Sequence, residues 1–258
     1  LQFDPLTRPG GALRVERDTP VESRPVGEVA CRFRTCYATE VLPLVLEALN
    51  YSVTGEGALL GLRLAMNCDG HLGELGLSRL RLHLAGERYI SQMLYLCLLR
   101  NLESIQLIPL DAHGRPLDGV AGKPMSFRLT GERVQPVGFA EDEALIPYPL
   151  NTFRGYRYLQ EYFAFQDKFL FVDVDGLDLL GALPEETLKQ VRGLELRFDI
   201  RKSGIQRLHP TLENVKLYCT PVANLFRHDA LPIRLDGKQD EYLLMPAEYS
   251  LEDCGVFS

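Results

Sequence analysis

Asp173, Asp175 and Asp178 crowd around Gly176 in the run Asp173-Val174-Asp175-Gly176-Leu177-Asp178. Carboxylates at such short spacing are what a calcium loop uses, since a hard cation takes oxygen ligands from a tight turn. That loop also needs its glycine after the third acid and a closing bidentate Glu. Here Gly176 precedes Asp178, and residues 179 to 184 hold no Glu, so a strand entering an Asp-Gly turn accounts for the residues better. The histidines His71, His83, His113, His209 and His228 include no His-Glu-x-x-His, and the cysteines include no Cys-x-x-Cys. Gly55-Glu56-Gly57 with Gly61 lacks the spacing of a dinucleotide fingerprint and the Lys-Ser/Thr of a P-loop. It reads as a hairpin turn. No Gly-x-Ser-x-Gly elbow occurs, and Glu141 to Glu143, like Glu185 and Glu186, fall in polar loops. The sequence therefore predicts no catalytic, metal or cofactor residue.

The aromatics Tyr156, Tyr158, Tyr162, Phe163, Phe165, Phe169 and Phe171 are interleaved with Arg154 and Arg157. Such a mixture can stack on single-stranded nucleic acid or pack a short helix onto a sheet. The formal net charge of −7 and the sequence pI near 5.4 favour packing, because phosphate binding is driven by Lys and Arg. Tyr162, Phe165 and Phe169 are accordingly expected in the core. Arg197, Arg201, Lys202 and Arg207 form a basic cluster in sequence, read as a solvated face. Two other classes stay open at this level: a β-sandwich enzyme using the loop acids, and a carbohydrate- or nucleic-acid-binding module.

The elements that would position these residues are short. Leu60, Leu62, Leu64 and Met66 alternate, as do Leu80, Leu82, Leu84 and then Leu194, Leu196, Phe198, Ile200. Period two is the mark of a strand with one buried face. Further strands are predicted over 29–37, 103–110, 125–129, 169–174, 214–218 and 242–245; Leu42 to Val53 is ambiguous, with Pro43 near its start. Ile90, Met93, Leu94, Cys97, Leu98 and Leu102 change the period to that of a helix near 88–102. A second helix is predicted near 156–163. The acidic, proline-containing stretch Phe139 to Pro149 suggests a boundary. The expected fold is mainly β or α+β: two β-sandwich-like subdomains, 1–138 and 139–258, each with a packed helix.

With 46% hydrophobic and 24% charged residues the chain can bury a large core. Apolar runs such as Phe169 to Val172 are far shorter than a membrane span, and no signal-peptide pattern opens the sequence. Cys31, Cys36, Cys68, Cys97, Cys219 and Cys254 are spread widely and mostly lie in apolar runs, which suits reduced, buried thiols.

Several long motifs resemble one family. The run Gly155 to Phe165, GYRYLQEYFAF, followed by Asp167-Lys168-Phe169-Leu170-Phe171, is similar to the GYRLLQEYFAFPEKFLFFD signature of the TssF family, also called VasA or ImpG. Cys219 to Phe226, CTPVANLF, is similar to its CTPVVNLF, and Pro232 to Asp236 with Glu241-Tyr242 to its PIRLD and EY. Val29 to Tyr37 and Phe139 to Pro149 resemble its CRFRTCY and FDEDEALLPYP stretches. Gln166 stands where the family has proline, and Met245-Pro246-Ala247-Glu248 replaces a VPD-like turn.

The resemblance implies a structural wedge subunit of the type VI secretion baseplate in the bacterial cytoplasm, docked at the inner face of the inner membrane. It implies TssG, a second TssF copy, TssK, TssE and the VgrG hub as partners, with no cofactor, no nucleic acid and no membrane insertion. In the Cys219 to Phe226 motif, Pro221 and Asn224 point to a loop. Its apolar Val222, Leu225 and Phe226 are the candidate partner-interface residues.

Overall fold

The computed structural model describes residues 1–25, 30–55, 57–119, 122–148, 153–201, 208–234 and 240–247. Lys202, Arg207 and Cys254 lie outside the described residues. The early strands are β1 (Leu13–Val15), β2 (Pro20–Glu22), β3 (Arg32–Thr35), β4 (Thr39–Val41), β5 (Leu44–Val53), β6 (Gly57–Met66) and β7 (Arg79–Leu84). Helix α1 (Arg88–Arg100) leads into β8 (Leu102–Leu110), β9 (Phe127–Thr130) and β10 (Val134–Pro136). Helix α2 (Arg154–Ala164) precedes β11 (Phe171–Asp175), short helix α3 (Glu185–Leu188), β12 (Gly193–Arg201) and β13 (Val215–Leu217).

The chain forms two compact units, and they do not divide at residue 138. The first comprises Leu1–Thr19 with Thr35–Ala223, the second Pro20–Arg34 with Asn224–Ser258. The expected split into 1–138 and 139–258 is corrected by the strand order. The larger sheet of the first unit runs β5-β6-β12-β8-β9, so β12, from the later half, sits between strands of the earlier half. A second sheet runs β10-β11-β7-β13, again mixing the halves. Local periodicity identifies strands but carries no information on which strand pairs with which; the antiparallel partners of β12 are more than eighty residues away.

The alternations do report the buried faces. Leu60, Leu62 and Leu64 on β6 face the same core as Leu194, Leu196, Phe198 and Ile200 on β12, with Leu196 level with Leu62 and Leu107. Leu80, Leu82 and Leu84 supply β7's contribution. α1 packs against strands of both sheets through Leu94, Cys97 and Leu98, while Tyr89 and Leu96 on its other side stay exposed. The fold is mainly β with a few helices. The ambiguous segment after Pro43 is strand β5, joined to β6 by a hairpin in which the Thr54 N–H donates to the Gly57 carbonyl. Among the described residues no helix is long and apolar enough to cross a membrane.

In the second unit β2 and β3 form an antiparallel hairpin, Val21 opposite Phe33. Residues 242–245, expected to form a strand, are not one. Only an isolated bridge between Ala230 and Pro246 marks that region, with Leu231 N–H donating to Met245.

Candidate interaction surface on the second helix

α2 is a strongly amphipathic helix that sits the unexpected way round. Arg157 and Glu161, four residues apart, are its buried residues. Tyr156, Leu159, Tyr162 and Phe163 are exposed, as are the flanking Phe153 and Phe165. The expectation that Tyr162 and Phe165 belong to the core is therefore corrected; Phe169 is half-buried and only Phe171 is fully buried.

The reason lies in what faces the polar side. Lys168, in the turn after α2, has 0% of its side chain exposed and meets Glu161 Oε2 at 2.5 Å. Its ammonium also donates to the Glu143 carbonyl oxygen, 3.0 Å away. Glu161 Oε1 accepts the Leu145 N–H at 2.8 Å. Arg157 donates to the carbonyls of Phe139 and Ala140 at 2.9 and 3.1 Å, and its Nε lies 3.8 Å from Glu161. Burial pushes the Lys168 pKa down, against the opposing pull of Glu161. A buried ion pair persists only when its remaining lone pairs and protons are also satisfied, and the segment 138–145 supplies those groups.

This network continues into the second sheet. Glu143 accepts N–H bonds from Gly138 and Ala140 and stands 3.4 Å from Arg81. Arg81 grips Asp173 with two bonds, 2.7 and 2.8 Å, and Arg79 holds Asp175 at 2.6 Å. Two of the three acids of the calcium-like run, Asp173 and Asp175, are thus committed to arginines of β7. Tyr37 donates its hydroxyl to the Lys168 carbonyl at 2.9 Å, and burial raises its pKa. Gly138, at φ +104°, lies so close that an added Cβ would stand 3.0 Å from the Lys168 oxygen and 3.1 Å from the Tyr37 hydroxyl.

A cavity of about 680 Å³ opens beside these residues, lined by Arg14, Tyr37, Arg79, Arg81, Glu143 and Asp175 among others. Its Arg79, Arg81, Glu143 and Asp175 already hold one another or Asp173. Among the described residues no group of three His, Cys, Asp or Glu side chains could hold a metal ion.

The interface candidates named from the sequence are divided between the two units. Val222 is half-buried in the two-residue strand Val222–Ala223 of the first unit. Leu225 and Phe226 are half-buried in the second unit, where the Phe226 ring lies 6.3 Å from that of His228 and 5.8 Å from the Arg32 guanidinium. Sequence reasoning counted the α2 aromatics as core. The available signal was the pair Arg157 and Glu161 on one helix face, with Lys168 following.

The family model described as "Type VI secretion system, TssF" matches residues 1–258. The chain belongs to the TssF family. The type VI secretion system component TssF1 of Pseudomonas aeruginosa (strain PAO1) is 29% identical over 234 residues, covering 84% of this chain and 35% of its own length. A cryo-electron microscopy structure of a TssK-TssF-TssG baseplate subcomplex contains a chain of the same fold. It matches with TM-score 0.72 and 30% identity over 95% of this chain and 43% of its own length. The chain thus spans about a third of the curated relative and under half of the solved one.

Proposed function

We propose that the protein is a structural wedge subunit of a type VI secretion baseplate, assembling with TssG- and TssK-class subunits and performing no catalysis. One observation carries the reading: a solved TssF relative of the same fold, matched over 95% of this chain, is part of a TssK-TssF-TssG subcomplex. The chemistry of the site agrees, since its charges are spent on holding elements in place and its conspicuous free surface is apolar, which is the property of a docking protein.

The wider assembly belongs to the same proposal: a second TssF copy, TssE, the VgrG hub, support of effector delivery, and a baseplate at the cytoplasmic face of the inner membrane. Val222, Leu225 and Phe226 are proposed to face partner subunits.

The test is co-expression of the full-length protein with its TssK- and TssG-class neighbours, followed by affinity purification through a tag on this chain. Stoichiometric recovery of both is expected. A cleanly folded protein that recovers neither would overturn the reading. Phe226→Asp, checked for folding, should weaken recovery if the loop faces a partner.

A further inference from the structure

The outward face of α2 is a ridge of large apolar groups. Tyr156, Leu159 and Phe163 follow at i, i+3 and i+7, and Phe153 extends the line, its ring 5.7 Å from that of Tyr156. Phe163 is 79% exposed and Tyr156 62%. Surface hydrophobics scattered singly need no explanation, but a contiguous aromatic ridge does. Nor can the helix hide it by rolling, because the opposite face carries Arg157 and Glu161. Turning those residues outward would leave Lys168 buried without its counter-ion.

We infer that this ridge is the docking site for an amphipathic helix of another subunit, one whose aliphatic face is flanked by Lys or Arg. The inference rests on the baseplate reading above. The spacing matches helix-in-groove recognition, where anchors at i, i+3 and i+7 meet a facing apolar stripe. The charge around the ridge sets the flanks. Glu141, Asp142 and Asp167 are exposed beside it; the guanidinium of Arg154 is already bonded to Glu141, and that of Arg17, which donates to the Asp142 and Ala144 carbonyls, lies 3.6 Å from the Asp18 carboxylate. That acidic surround repels an anionic lipid surface and an identical copy of itself, and attracts a basic-edged helix.

The experiment places a photo-crosslinking phenylalanine analogue at Phe163 in the full-length protein, co-expressed with its TssK- and TssG-class subunits. After irradiation the crosslinked peptides are sequenced. The expected product joins position 163 to a helix of the TssK- or TssG-class subunit that is aliphatic at helical spacing and bears Lys or Arg flanks. A crosslink to this chain itself, to a second copy or to lipid overturns the inference, and so does the absence of any crosslink. A companion measurement compares Tyr156→Ser/Phe163→Ser with Leu243→Ser, an exposed apolar residue of the second unit. With circular dichroism and melting unchanged, the double variant should bind the crosslinked subunit at least tenfold more weakly and Leu243→Ser as wild type. If the double variant binds normally while wild type co-purifies with its partners, only the docking inference falls. If wild type co-purifies with neither, the baseplate reading falls with it.

Discussion

Glu161 and Phe163 stand two residues apart on one helix, and the carboxylate is 2% exposed while the phenyl ring is 79% exposed. The inversion follows from Lys168. Once that ammonium is enclosed, only a helix that turns its acid inward can satisfy it, and the aromatic face must then look outward.

The contrast between two phenylalanines tests this directly. Phe163→Ala should change unfolding free energy by no more than about 0.5 kcal/mol, as expected of an exposed side chain. Phe198→Ala, fully buried on the central strand β12, should cost about 3–5 kcal/mol. Urea unfolding followed by far-ultraviolet circular dichroism measures both. A large loss at Phe163 would mean that α2 buries its aromatics after all.

Removing Glu161 should be severe. Glu161→Ala leaves the Lys168 ammonium enclosed without its bonded carboxylate, held by the Glu143 carbonyl and the Phe169 ring 4.7 Å away, at about 3–5 kcal/mol. Replacing both residues, as Glu161→Met with Lys168→Met, should recover much of that loss. Equal damage from the single and double variants would contradict an ion-pair origin.

His83 provides a pH signature. It lies on β7 stacked on Phe171, ring centroids 4.3 Å apart, and burial lowers its pKa from 6.5 to about 4 despite the nearby Asp167. Because the folded value lies below the unfolded one, the unfolded chain takes up the proton first. The stabilisation is whole above about pH 6.5 and is lost as pH falls toward 4, a change on the order of 2–3 kcal/mol. Urea midpoints between pH 7 and pH 4 should fall less steeply in His83→Gln than in wild type.

Thiol labelling should follow burial. Cys31 is exposed and Cys68 half-buried, whereas Cys36, Cys97 and Cys219 are buried, with burial pushing the thiols of Cys97 and Cys219 up. Native alkylation followed by peptide mass spectrometry should modify Cys31 first. The three buried thiols should react only after denaturation, without reductant. A Cys31–Cys36 bridge in the isolated protein would contradict the free thiols seen here.

The amino-acid sequence by itself determined the local pieces. Leucines at every second position on β6 and β7, and the apolar set Leu94, Cys97 and Leu98 on α1, declare their buried faces because period and element geometry are tied together. The TssF motifs were equally legible, being long and specific. Tertiary structure alone decided two things. One is strand order, where β12 enters between β6 and β8 through pairings between residues far apart along the chain. The other is the facing of α2. Apolar periodicity says that a helix has two faces, but which face turns inward depends on the partners across from it. Here Lys168, the carbonyls of Phe139, Ala140 and Glu143, and the Leu145 N–H formed a polar floor, so the charged face was buried and the aromatic ridge was left exposed.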